Sequence, residues 1–187
     1  MKVLVIVEDP TLDSFVVRPV VEGLLSDLSI RSSVEVLRDP YLSGVDQALD
    51  MKTIAAIVDE NRMVDLFLLI VDRDCNRANN VERAAERQAE HSDCLLACLA
   101  VEEVETWMLA LHLPKLKATW AEVRAECDPK EEFAEPFLAD QGWTLGVGRG
   151  RKAAMRAMRG GGWKSLFSLC EEIRALRDDV AAWHAGR

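Results

Sequence analysis

The sequence predicts an α/β fold: a mainly parallel sheet of four or five strands, helices on both faces, and a helical segment at the C-terminal end. Three observations predict it. Apolar, β-branched runs recur at residues 3–7, 34–37, 66–71 and 94–101. Stretches between them carry apolar residues at helical spacing. After Pro114 the strand pattern stops, and helices and loops take over. Strands alternating with helices imply right-handed crossovers and therefore parallel strands.

Taken in order, residues 3–7 are apolar throughout, as a strand buried on both faces requires. Asp9-Pro10 ends this strand; Pro10 suits a first helical turn, with Asp9 as its cap. Leu12, Phe15, Val16, Val20 and Leu24 then follow helical spacing, and Pro19 among them predicts a kinked or split helix. Val34 to Leu37 reads as a short second strand. Leu49, Ile54, Ala55 and Val58 mark a second amphipathic helix that closes near Asn61. LFLLIV, at 66–71, is the strongest strand signal in the chain. A polar loop over 72–80 leads to a charged helix from about Val81 to Glu90. Cys94 to Val101 gives the fourth strand, and a helix with Glu103, Glu105, Trp107 and Leu109 follows at once. Its spacing from Val104 and Leu111 places Trp107 in the core. Gly146-Val147-Gly148-Arg149-Gly150 and Gly160-Gly161-Gly162 punctuate the remainder, and a last helix is expected from about Trp163 to Trp183. The division expected is an α/β domain over 1–112 with a helical extension, 113–187, packed on it.

Composition narrows the function classes. With 49% hydrophobic and 29% charged residues, the 187-residue chain has material for a core and is not of disordered type. No apolar run approaches the roughly 18 residues of a membrane helix. MKVLVIVED reads as a strand, not a signal peptide, so a cytoplasmic location is expected. The five cysteines (Cys75, Cys94, Cys98, Cys127 and Cys170) include no CxxC pair, so neither a zinc site nor a disulfide framework is expected. Cys94 and Cys98 lie in an apolar run and read as reduced core residues. The net charge of −9 is segregated: residues 1–140 carry 14 basic and 28 acidic side chains, residues 141–187 carry 9 and 4. Arg149, Arg151, Lys152, Arg156, Arg159 and Lys164 cluster where no carboxylate occurs. An acidic body with a basic patch suits a metal site beside a phosphate-binding surface, and equally a plainly solvated surface.

The chemistry-bearing residues follow the strands. In doubly wound sheets, sites form beyond the carboxyl ends of the strands. Glu8 follows strand one, Asp72 and Asp74 follow strand three, and Glu102, Glu103 and Glu105 follow strand four. A carboxylate at the end of a buried strand is costly unless it is paired, capped or bound to a metal. So many acids together repel one another and raise their pKa values unless a cation offsets them. Oxygen ligands of this kind select Mg²⁺, Mn²⁺ or Ca²⁺ over zinc. In Asp72-Arg73-Asp74 an extended backbone points both aspartates to one side. Each piece alone is also an ordinary loop or helix cap.

VLVIVED followed by a helix, and then LFLLIVDRD, resembles the Toprim fold of topoisomerases, primases and overcoming-lysogenization-defect nucleases. Its signature is a glutamate after strand one and Asp-x-Asp after strand three. LLACLAVEEVETWMLAL is similar to a stretch found in small standalone Toprim-like proteins associated with phage defence. The resemblance covers about residues 1–112, and the C-terminal helices more loosely. It implies a metal-dependent nuclease with Glu8, Asp72 and Asp74 as catalytic residues and one or two Mg²⁺ or Mn²⁺ ions. Glu8, Asp9, Asp72, Asp74, Glu103 and Glu105 are the metal ligands so implied, and DNA, more than RNA, is the substrate. Arg149, Arg151 and Lys152 are candidates to hold its phosphates. A partner ATPase or a homodimer fits so small a chain. Asp9 stands where the family has glycine, and Asp13 lies five residues after Glu8 instead of four. Tyr41, the only tyrosine, sits beside Pro40, which speaks for water as the nucleophile over a covalent tyrosine.

Other readings fit parts of the pattern. A non-catalytic module with a decayed site accounts for Asp9. In a receiver domain Asp72 accepts a phosphoryl group, but strand three comes late and no Ser/Thr with a following Lys-Pro appears. Primase-type polymerisation needs a template-handling domain that this length does not accommodate.

Overall fold

The computed structural model describes residues 1–75, 77–160 and 162–187, with the side chains of 77, 159, 160, 163 and 164 left out. The side chains of the charged candidates Arg159 and Lys164, and Gly161 of the second glycine run, therefore lie outside what is described. The elements are β1 (Lys2–Ile6), α1 (Ser14–Asp27), β2 (Ser33–Val36), α2 (Val45–Ala48), α3 (Met51–Glu60), β3 (Leu66–Asp72) and α4 (Arg77–Glu90). They continue as β4 (Leu95–Ala100), α5 (Glu105–Ala110), α6 (Trp120–Ala125), α7 (Glu135–Asp140), α8 (Arg151–Ala154), α9 (Trp163–Leu169) and α10 (Glu171–Ala185). Short 3-10 turns occupy Leu113–Lys115 and Met155–Gly160, and a π turn occupies Lys130–Ala134.

The four strands form one sheet in the order β2-β1-β3-β4, and every pair is parallel. Alternation along the strands splits the core in two. Val3, Val5, Leu66, Leu68, Ile70, Leu96 and Cys98 point to the side covered by α1, α5 and α10. Leu4, Ile6, Phe67, Leu69 and Val71 point to the side covered by α2, α3 and α4. All six apolar residues of β3 are buried. At about 1.5–3 kcal/mol for each large side chain taken from water, this strand anchors both layers. The C-terminal helices join the same core: Ile173, Leu176 and Val180 of α10 lie with Val123, Phe137 and the β4 residues.

Local chemistry explains where the elements start and stop. Asp9 does not cap α1. Its Oδ1 accepts the Thr11 amide (2.8 Å), and the Asp13 amide bonds the Asp9 carbonyl (3.1 Å), so residues 9–13 form a turn. The helix begins at Ser14 and runs unsplit past Pro19, which lacks only the amide that would reach the Phe15 carbonyl. α3 is capped by Asp50, whose carboxylate accepts from the Thr53 amide (2.8 Å). Instead of one terminal helix there are two, because Cys170 takes an extended conformation (φ −114°, ψ 96°) between α9 and α10. Trp107 is fully buried, and its indole N–H donates to Glu172 (2.9 Å). No helix among the described residues is long and apolar enough to cross a membrane.

Candidate functional site

Because β1, β3 and β4 are parallel neighbours, their carboxyl ends share one rim. The register aligns Ile6 with Leu69 and Asp72 with Ala100, so Glu8, Asp72 to Asp74 and Glu102 emerge at similar heights. Their side chains lace the rim together. Glu8 Oε1 accepts from the Asp72 amide (2.8 Å), and Asp72 Oδ1 accepts from the Val104 amide (2.8 Å). Glu103 Oε2 accepts from the Lys130 amide (2.6 Å), and Asp13 Oδ2 from the Asp9 amide (3.2 Å). Each of these four carboxylates thus has one oxygen committed to a backbone N–H.

Burial dominates their electrostatics. Glu8 is pushed up to about 7 by burial, with the Asp72 amide opposing and Asp74 adding repulsion. Asp13 rises to about 8, by burial first and then by the charges of Glu105 and Asp9. Asp72 lies well above the usual carboxylate range, by burial and then by Glu8, Asp13, Glu105 and Glu103. Asp74 is raised by burial and by Glu102. Glu103 rises to about 7, chiefly by burial, against the opposing Lys130 amide. Repulsion among acids, expected from the sequence, is therefore present but second to desolvation.

Two acids of the group have cationic partners. Glu105 is buried against Arg151, whose Nε and Nη2 both reach its Oε1 (2.9 and 2.5 Å). The side chains are 0% and 2% exposed for Arg151 and Glu105. Glu102 pairs with Arg73 (2.5 Å) and also accepts the Cys75 amide (2.9 Å). These facts correct two expectations. Arg151 cannot contact a nucleic acid, because it is buried beneath the rim as the counter-ion of Glu105. Glu105 is that ion pair's partner instead of a ligand open to an ion. Asp9 is on the rim, with one oxygen held by Thr11. Arg149 and Lys152 are exposed, Arg149 on the glycine-rich loop and Lys152 on α8.

Two residues of the rim were given no site role by the sequence reading, which noted Asp13 only for its spacing from Glu8. Asp13 is buried and faces Glu8, Asp72 and Glu105. The signal was there: with Val16, Val17, Val20 and Leu24, Asp13 completes the inward stripe of α1. Lys130 is the second. Burial works to lower its pKa, but the fields of Glu105, Glu103 and Glu131 outweigh this and raise it. Its charge in turn reaches Glu8 and Asp74.

A disulfide that the cysteine spacing did not suggest joins Cys75 to Cys127 (Cα–Cα 5.6 Å, 52 residues apart). Both cysteines are exposed. It ties the turn that follows β3, which carries Asp74, to the segment leading into Lys130. Asp74 and Cys75 both adopt left-handed backbone (φ 50° and 49°) at that junction. Cys94 and Cys98 are free thiols, as expected.

Among the described residues, no group of three or more His, Cys, Asp or Glu side chains is arranged to hold a metal ion. The carboxyls of the rim offer oxygen donors only, and burial and mutual repulsion hold Glu8, Asp13 and Asp72 above their ordinary pKa, a cost that a divalent cation would relieve. No known family, curated protein or solved structure matches the chain.

Proposed function

We propose that the chain is a Mg²⁺- or Mn²⁺-dependent phosphodiesterase of Toprim type that hydrolyses nucleic acid, DNA in preference to RNA. The observation that carries the reading is the direct contact of Glu8 with the Asp72 backbone inside a rim of carboxyls held above their ordinary pKa. Asp72, Asp74 and Glu8 are the residues that would hold the cation, with Asp13 behind them. A bound divalent ion supplies charge neutralisation at the phosphate and a more acidic water. Glu8, through the oxygen that does not hold the Asp72 amide, would serve at one end of the displacement, either taking the proton of the attacking water or giving one to the leaving sugar oxygen. Solvent would complete the exchange at the other end. A new P–O bond to water forms and the P–O bond to the leaving sugar oxygen breaks. Lys130, cationic at the same rim, steadies the phosphate. A role in defence against foreign DNA belongs to the same proposal and rests on the VEEVETWMLAL stretch.

One observation favours a second reading, a non-catalytic module: four of the carboxylates serve as acceptors for backbone amides, a structural duty. Cation affinity separates the two. Under the enzyme reading, Mn²⁺ at 100 times its Kd stabilises the fold by about 2.7 kcal/mol, a Tm gain of roughly 5–11 °C for a chain of this size. Single-stranded or plasmid DNA is then cut in Mn²⁺, and Asp72→Asn/Asp74→Asn abolishes both effects. Absence of any Tm response to Mn²⁺ and Mg²⁺, together with intact DNA, would leave the module reading.

A further inference from the structure

A groove of about 860 Å³ runs between α1 and the segment from α8 into the following 3-10 turn. Its walls include the chain neighbours of two rim residues: Ser14 follows Asp13, and Lys152 follows Arg151. Arg18, Arg38, Lys152 and Arg156 line its margins and are exposed. Arg18 is occupied by Glu22 (2.7 Å), whereas among the described residues Arg38, Lys152 and Arg156 form no ion pair. Glu35 is the remaining acid along it. The floor is apolar, made by Phe15 and the buried thioethers of Met155 and Met158. Past Arg18, Glu22 and Glu35, which the two share, a second hollow of about 610 Å³ continues along α1 to Arg31.

A Cβ on Gly148 would lie 2.3 Å from the Phe15 ring, so the loop backbone seats directly on that ring. The loop's exit then sets α8, and with it Lys152, across from α1.

We infer that this groove is the track for a single nucleic-acid strand, with bases against Phe15, Met155 and Met158 and phosphates on Arg38, Lys152 and Arg156. The inference rests on the phosphodiesterase reading and names the path by which its substrate reaches the rim. Cationic margins over an apolar floor match the two chemistries of an unpaired strand, an anionic backbone and stackable bases. A duplex hides its bases and has no use for the floor. From Ser14 to Ser26 the α1 wall is roughly 18 Å long, space for a few nucleotides.

The test is binding of a fluorescein-labelled 12-nucleotide DNA to the full chain in EDTA, followed by anisotropy across a salt series. Arg38→Glu/Arg156→Glu is expected to weaken binding at least tenfold. The log–log salt slope should shrink by about 1.4, the share of two phosphate contacts on a single strand. Arg62→Glu/Arg174→Glu, an equal charge change at distant exposed sites, supplies the control. Equal losses in both variants overturn the track, as does absence of binding by the unaltered chain. A second readout needs no variant: a 5-iodouracil strand should photocrosslink to the peptide containing Phe15 or Met155, and crosslinks confined elsewhere overturn the assignment. A free mononucleotide that displaces the strand at equal concentration shows a nucleotide pocket instead of a strand track. Cleavage in Mn²⁺ with no groove effect removes this inference and keeps the enzyme. Groove binding without cleavage or cation affinity does the reverse.

Discussion

Arg151→Met offers the sharpest test of how the acid rim is built. Arg151 and Glu105 are 0% and 1% exposed, and the guanidinium is the cation that touches Glu105. Removing it strands a carboxylate among Asp13, Asp72 and Glu103, whose charges already oppose one another. Breaking a buried pair from one side costs about 3–5 kcal/mol. At 187 residues that corresponds to a Tm loss of roughly 6–20 °C. Removing both charges should cost much less, because no ion is then left unpaired. Glu105→Gln/Arg151→Met is therefore expected to recover more than half of the loss, with a coupling of about 2 kcal/mol or more across the cycle. Urea unfolding followed by circular dichroism at pH 7 measures all four proteins, and equal m-values license the comparison. A loss below about 1 kcal/mol for Arg151→Met, or strict additivity in the double variant, would refute the reasoning.

Three further outcomes are expected. Glu8 and Asp13 hold protons more tightly in the fold, at about 7 and about 8, than at their ordinary values of 4.5 and 3.8. Unfolding therefore releases protons, and stability in EDTA should fall as pH rises from about 5 to 8. A Tm that climbs over this range contradicts the burial of these acids. Gly148→Ala places a methyl 2.3 Å from Phe15 at φ +64°, which should cost about 2–5 kcal/mol from overlap and left-handed strain together, read by thermal unfolding. Cys75→Ser/Cys127→Ser should lose up to about 4 kcal/mol, the chain-entropy value for a loop of this size. Dithiothreitol should lower the Tm of the unaltered chain to the same level, and indifference to it would mean the bridge is not formed.

The sheet was legible because both of its faces are buried. Residues 3–7 and 66–71 are apolar without interruption, and a parallel strand between helix layers needs just that. Placing Glu8 and Asp72 on one rim then required only strand direction. What the residues around them do was not legible. An acid in the otherwise uncharged ETWMLA helix announces a buried cation, but nothing in spacing tells which basic residue, 46 positions on, supplies it. The break at Cys170 carries neither glycine nor proline, so it leaves no mark in the sequence. The Cys75–Cys127 bridge depends on where a loop after β3 meets a turn before Lys130, which is a property of the tertiary fold alone.

The lacing of the rim bears on how any such site can be taken apart. Glu8 and Asp72 hold the amides of Asp72 and Val104, so they are mortar as well as reagents. Truncation to alanine deletes the acceptor along with the charge and leaves an N–H stranded at the seam between adjacent strands. Inactivity after such a cut reports slackened masonry as readily as missing chemistry. Isosteric amides keep an oxygen in place for the same N–H, and they are the substitutions that isolate the negative charge.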